Sequence, residues 1–177
     1  LKINFKKKAL KKTSSNLVLF VDEKFSLNSV KKYLLSSEFS YIKDILKTSD
    51  VSKNLFVFEL SSKKKIILIS IKKNIKNSDT ESLGAEFYGR INYGKNNEYF
   101  VNSDTILNKD KDLIGHFLHG LKLKSYEFNK YKSKKDIKRI IINIFGKKNI
   151  PSSIKLLKFK ALEEGTFYTR DLVSEPG

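Results

Sequence analysis

Four near-continuous runs of branched and aromatic side chains constrain the fold most. They are Leu17-Val18-Leu19-Phe20-Val21, Leu55-Phe56-Val57-Phe58, Ile66-Ile67-Leu68-Ile69 and Ile140-Ile141-Ile142. A strand with one wet face would alternate polar and apolar residues, so unbroken runs belong to strands covered on both faces. The stretches between them carry a different period. Phe39, Ile42, Ile45 and Leu46 share one side of a helix, as do Leu83, Phe87 and Ile91, and then Ile114, Phe117, Leu118 and Leu121. Strands that alternate with helices predict an α/β fold with a mixed sheet flanked by helices. Ser61-Ser62-Lys63 joins two of the runs as a hairpin, so the sheet is not all parallel.

Finer expectations follow from local chemistry. Leu1 to Lys6 alternates with period two and reads as a strand. Ser29 to Leu35 reads as helical. Ser78 with Glu81 has the spacing of a capping box, and Gly94 is placed to end the helix it opens. Asp110 is positioned to cap the next helix. The last strand is expected from Ile137 to Phe145, with Gly146 as its stop. Pro151-Ser152-Ser153 then starts a final helix. Its apolar side reads as Leu156, Leu157, Ala161 and Leu162, docked on the domain's own sheet.

The chain has no cysteine, which excludes disulfides, thiolate metal sites and cysteine nucleophiles. Cytoplasm is the default compartment. No apolar run approaches the roughly 18 residues of a membrane span, so no membrane partner is expected. The N-terminal residues do not read as a signal peptide. The lack of any Met, initiator included, suggests that the segment does not begin at a native start. The net charge is +17, which can attract nucleic acid. Yet almost every basic residue is Lys, with Arg only at 90, 139 and 170. Arg is the bidentate phosphate reader, so a solvated Lys coat is the favoured reading, with weak DNA or RNA binding as its competitor.

Several constellations invite a functional reading. His116 and His119 stand at i and i+3, with Asp112 and Glu127 as possible further ligands. Neither carboxylate has motif spacing, and both histidines read as structural. Tyr126, Phe128 and Tyr131 interleave with Lys124, Lys130, Lys132 and Lys134, a pattern that suits stacking on single-stranded nucleic acid. The alternative is packing of the rings against the sheet, which we favour. Gly84, Gly89 and Gly94 lie on or at the end of a helix and make no phosphate loop. Ser14-Ser15 has no His–Asp arrangement to activate it.

Thr169-Arg170-Asp171-Leu172-Val173-Ser174-Glu175-Pro176-Gly177 resembles the domain-junction segment of the cytosolic leucine aminopeptidase family. The usual text there is Ala-Arg-Asp-Leu-Val-Asn, an acidic or similar residue, Pro, a small residue and Asn. Thr169 and Ser174 depart from it; Arg170, Asp171, Leu172 and Pro176 match. Gly120 to Ser133, with Tyr126, Phe128, Tyr131 and Lys132, resembles the family's helix end and the Tyr-x-Phe-x-x-Tyr-Lys stretch after it. The first half of the chain agrees only in element order.

The resemblance implies a macro-domain-like N-terminal domain at 1–150 and an interdomain linker helix at 151–177. Arg170 and Asp171 would order that helix through salt bridges or caps. A separate C-terminal domain would carry two divalent metals, manganese or zinc, and hydrolyse N-terminal residues from peptides. Its ligands lie beyond Gly177, so this chain is expected to have no catalytic, cofactor or metal residues of its own. The implied assembly is a cytoplasmic homohexamer built through catalytic domains, with the isolated segment a monomer. Leu172 and Val173 would pack against the other domain; when that domain is missing, fraying is expected from about Thr169, or else burial of Leu172 and Val173 against a crystal neighbour. Two other readings remain. One is a nucleic-acid-binding module, since some bacterial members double as DNA-binding regulators. The other is a macro-type ADP-ribose binder, on fold analogy alone.

Overall fold

The computed structural model describes residues 1–6, 16–91, 97–107, 112–128, 131 and 139–175. Among them, six strands form one sheet: Lys2–Lys6 (β1), Asn16–Val21 (β2), Leu55–Ser61 (β3), Lys64–Ser70 (β4), Glu98–Asn102 (β5) and Ile141–Phe145 (β6). Their order is β1-β6-β5-β2-β4-β3. All neighbours are parallel except the β3–β4 hairpin, so the sheet is mixed as expected. β2 and β4, the most apolar runs, lie inside the sheet, where both faces need cover.

The helices are Ser36–Thr48 (α1), Asn77–Ile91 (α2), Leu113–Lys124 (α3) and Ser153–Ser174 (α4). α2 and α3 cover one face. Leu83, Phe87, Ile91, Ile114, Phe117 and Leu121 bury there against Val18, Phe20, Val101 and Ile142. α1 covers part of the other face, with Ile42 buried near Leu19, Val21 and Leu68, and Phe39, Ile45 and Leu46 partly buried around it. Burial of each such side chain stabilises the fold by about 1.5–3 kcal/mol relative to exposure. A polar thread crosses three strands: Asn4 Nδ2 donates to Asn143 Oδ1 at 3.1 Å, and Asn143 Nδ2 donates to Glu98 Oε1 at 2.8 Å. Slipping one strand would break the thread, so it pins the register.

Local expectations fared unevenly. Ser29 to Leu35 forms only a 3₁₀ turn at Lys31–Tyr33. Ser78 lies inside α2, not at its cap, and Glu81 spends its carboxylate on His116, so no capping box forms there. The carboxylate half of such a box occurs instead at α1, where Glu38 Oε2 accepts the Leu35 N–H at 3.0 Å. The last strand is shorter than expected and begins at Ile141. Asp112 holds the N-cap position of α3, and its carboxylate pairs with Lys155 rather than capping the helix. The readings of Gly94, Asp110, Ile137, Ser14-Ser15, Lys130, Lys132, Lys134 and Pro176 fall outside the described residues.

Candidate docking face on the C-terminal helix

α4 begins where Ser152 Oγ accepts the Lys155 N–H, just after Pro151. It packs on α3 rather than on the sheet. Phe159 fills a recess made by Gly115, where a Cβ would stand 2.5 Å from the Phe159 ring. The ring meets His116 edge-on at 4.9 Å and lies tilted on His119 at 5.3 Å.

One turn later, Glu163 is 4% exposed. A carboxylate there needs partners, because an unpaired buried charge is costly. Lys122 Nζ donates to its Oε2 at 2.7 Å, and His119 Nδ1 lies 3.2 Å from its Oε1. His116 Nδ1 is 2.7 Å from Glu81 Oε1. Both histidines are thus tied to glutamates. Among the described residues, no three His, Asp or Glu side chains gather as a metal-ligand cluster.

Further along, Phe167 stacks on Tyr126 at 5.4 Å. Arg170 Nη1 donates to the Leu123 carbonyl at 2.7 Å, and its guanidinium lies over the Tyr126 ring at 5.4 Å. The Tyr126 hydroxyl donates to Asp171 Oδ1 at 2.6 Å. Desolvation, then the bond to Asp171, hold that hydroxyl's pKa above the usual tyrosine value. The Tyr126 ring is therefore spent on α4, not on the sheet and not open for base stacking. Phe128 and Tyr131 meet edge-on at 5.8 Å, and Tyr131 is exposed.

Residues 156, 159, 163, 167 and 170 thus turn toward α3. This corrects the expected apolar side: Leu156 is half-buried, whereas Leu157, Ala161 and Leu162 are exposed. The opposite side of α4 carries a second apolar stripe. Ile154, Leu157, Ala161, Gly165, Tyr168 and Leu172 follow one another at steps of three and four, on a single line along the helix. Ile154 is 81% exposed, Leu157 66%, Tyr168 66% and Leu172 55%. No charged residue interrupts the stripe, which runs for about 27 Å at 1.5 Å per residue. Leu162 and Val173 are also exposed, on a neighbouring flank of the helix.

At its N-terminal end the stripe adjoins a 400 Å³ groove between α4, α3 and β1, lined in part by Ile3, Phe5 and Leu118. Phe5 is exposed, and β1 is an edge of the sheet. An apolar surface this continuous marks an interaction site in soluble proteins. The junction motif divides across the helix: Arg170 and Asp171 bind the chain's own α3 end, while Leu172 and Val173 point outward. Helical structure continues through Ser174. Phe159 and Glu163, which decide how α4 sits, were missed from sequence. The signal available was the small residue at Gly115, but nothing in one sequence aligns it with Phe159.

No described helix is long and apolar enough to cross a membrane. No family model matches the chain, and no curated protein matches it. Solved structures do. A mutant of tomato leucine aminopeptidase superposes with a TM-score of 0.70 at 16% identity, over 99% of this chain and 38% of that chain. The bottromycin maturation enzyme BotP superposes with a TM-score of 0.61 at 12% identity, over 93% of this chain and 33% of that one. Its complex with Mn matches equally, over 32% of that chain. At these identities the likeness establishes the fold. This chain has the fold of a part of leucine aminopeptidase and spans well under half the length of the structures it matches.

Proposed function

We propose that residues 1–150 form the non-catalytic N-terminal domain, and 151–177 the interdomain helix, of a leucyl aminopeptidase. The full protein would be a cytoplasmic homohexamer that removes N-terminal residues from peptides. Its two divalent ions, manganese or zinc, would activate water and polarise the peptide carbonyl in a C-terminal domain. This chain's own residues have a positioning role. Phe159, Glu163 and Arg170 fix α4 on α3, and the opposite stripe receives the catalytic domain.

The observation that carries this reading is the second apolar face of α4. A helix already docked on one side gains nothing from a clean apolar stripe on the other unless something covers it. The occupant we assign is the catalytic domain of the same chain, because the matched aminopeptidase extends well beyond the matched region and the junction motif ends this helix.

Hydrolysis of leucine p-nitroanilide with added manganese or zinc tests the reading. The 177-residue chain is expected to show none, and the longer product of the parent gene to show metal-dependent turnover. Leu157→Lys with Tyr168→Lys should impair the longer protein while shifting the stability of the 177-residue chain by no more than about 0.5 kcal/mol, as at other surface sites. Chelator-sensitive turnover by the short chain, or indifference of the long one to the double change, would refute it.

A further inference from the structure

β1 is an edge of the sheet, joined to β6 on one side. The Lys2 N–H donates to the Ile140 carbonyl at 2.8 Å, so the backbone groups of Lys2, Asn4 and Lys6 turn toward β6. Backbone direction alternates along a strand, and the N–H and C=O groups of Ile3 and Phe5 therefore face outward. Among the described residues no strand pairs with them. A bare edge of this kind is a template for a further strand.

The side chains of β1 divide by face. Ile3 and Phe5 lie on the α3 side, where they line the 400 Å³ groove with Leu118, Leu156, Leu157 and Phe159. Phe5 is exposed and forms an open lip. The one carboxylate in the lining, Glu163, is already satisfied by Lys122 and His119, which leaves the walls apolar. The groove lies within the size range of ligand pockets. On the opposite face Asn4 is bonded to Asn143, and Lys2 and Lys6 flank it. Both lysines are exposed. Lys6 Nζ lies over the Phe100 ring at 5.1 Å, and neither lysine has an ion-pair partner among the described residues.

We propose that β1 accepts an acidic, extended peptide segment of a partner protein as an added strand. Two apolar side chains of the segment would enter the groove beside Ile3 and Phe5, and two carboxylates would stand opposite Lys2 and Lys6. The pattern is acidic, apolar, any, apolar, acidic, and it reads the same in both directions. The pairing is antiparallel, the more stable arrangement per residue. A second copy of this chain does not fit. Antiparallel β1 against β1 would set Lys2 against Lys6 twice, between two chains that each carry +17. The lysines thus guard the edge against self-pairing and select an acidic strand. Regular alternation of charge and apolar side chain along one backbone suits a strand and not a nucleic acid. The site shares only Leu157 with the α4 stripe and does not depend on the proposed function.

The test is a titration of the ¹⁵N-labelled 177-residue chain with the end-capped peptide Ser-Glu-Leu-Thr-Val-Glu-Ser, followed by NMR. The amides of Ile3, Asn4, Phe5, Leu118 and Phe159 should shift saturably. The rearranged peptide Ser-Leu-Glu-Thr-Glu-Val-Ser has the same composition with the faces exchanged, and should bind about tenfold more weakly or worse. N-methylation of Leu and Val removes the donors that meet β1 and should weaken the first peptide by about tenfold. Lys2→Glu with Lys6→Glu should weaken it by about tenfold or more, and should in turn bind the peptide that carries Lys in place of both Glu. Lys43→Glu with Lys53→Glu, an equal charge change elsewhere, should leave binding unaltered. Equal binding of the rearranged or N-methylated peptide, equal loss in both double variants, no saturable shift at β1, or the same shifts with oligo-dT would overturn the proposal. None of these outcomes bears on aminopeptidase activity.

Discussion

Gly84 on α2 and Gly120 on α3 bring the two helix backbones into direct contact. A Cβ on Gly84 would lie 1.9 Å from the Phe117 carbonyl oxygen, and one on Gly120 would lie 1.9 Å from the Glu81 carbonyl oxygen. Mid-helix glycine costs about 1 kcal/mol relative to alanine, so the close crossing must return more than that. Gly84→Ala or Gly120→Ala is expected to destabilise by about 2–3 kcal/mol, because backbone cannot give way as a flexible side chain can. Gly89 has nothing near its missing Cβ, so Gly89→Ala should be neutral or stabilising by up to about 1 kcal/mol. Urea unfolding of the three variants decides. If all three behave alike, the contact is not tight.

The seat of α4 rests on one aromatic and one carboxylate. Phe159→Ala should cost about 3 kcal/mol by emptying the recess beside Gly115. Glu163→Ala should cost about 2 kcal/mol, below the value for a wholly buried pair because Lys122 is one-third exposed and can return to water. Each change should lower the thermal midpoint and speed hydrogen exchange along α4. Normal protection of α4 in Phe159→Ala would mean that other contacts hold the helix.

The sheet and its three covering helices were legible because their residues repeat at one unambiguous period. Val18, Phe20 and Ile67 have no polar neighbours with which to form a wet face. α4 was harder because it is apolar on two sides. Leu156, Leu157, Ala161 and Leu162 satisfy helical spacing, yet the side that docks is chosen by Phe159 meeting Gly115 and by Glu163 meeting Lys122. Those partners are more than 40 residues away, and their meeting depends on how α3 lies on the sheet. The capping box at Ser78 failed for a related reason: Glu81 found His116 on α3 before it could serve its own helix.

Arg170 and Tyr126 form a clamp that ties the junction motif to α3. Arg170→Ala removes the bond to the Leu123 carbonyl and the charge over the Tyr126 ring. The clamp is near the surface, so the urea midpoint should barely move. Local opening is a separate quantity, and amides from Tyr168 to Ser174 should exchange faster. Tyr126→Phe, which keeps the stack on Phe167 but loses the bond to Asp171, should show a smaller version of the same change. Unchanged exchange in Arg170→Ala would assign the order of the last turn to helix propensity alone.

Tyr99 gives the fold a defined weakness in alkali. Its ring packs edge-on against Phe87 at 5.9 Å, and its hydroxyl lies 3.5 Å from the Ile91 carbonyl. Burial, with the Glu59 charge second, raises its pKa above the ordinary tyrosine value. Tyr88 is raised in the same direction by burial and then by Glu127. A raised folded-state pKa means that the fold holds the proton more tightly than the unfolded chain does. The associated stability is therefore fully present below the unfolded value of about 10, and is lost as pH climbs through it toward the folded value. Lysine titration also begins in this range, so the comparison must be with Tyr99→Phe, which keeps the ring and cannot ionise. Urea midpoints at about pH 8 and about pH 11 should fall further for the parent chain than for the variant. Parallel falls would show that Tyr99 stays protonated throughout or that its ionised form is accommodated where it lies.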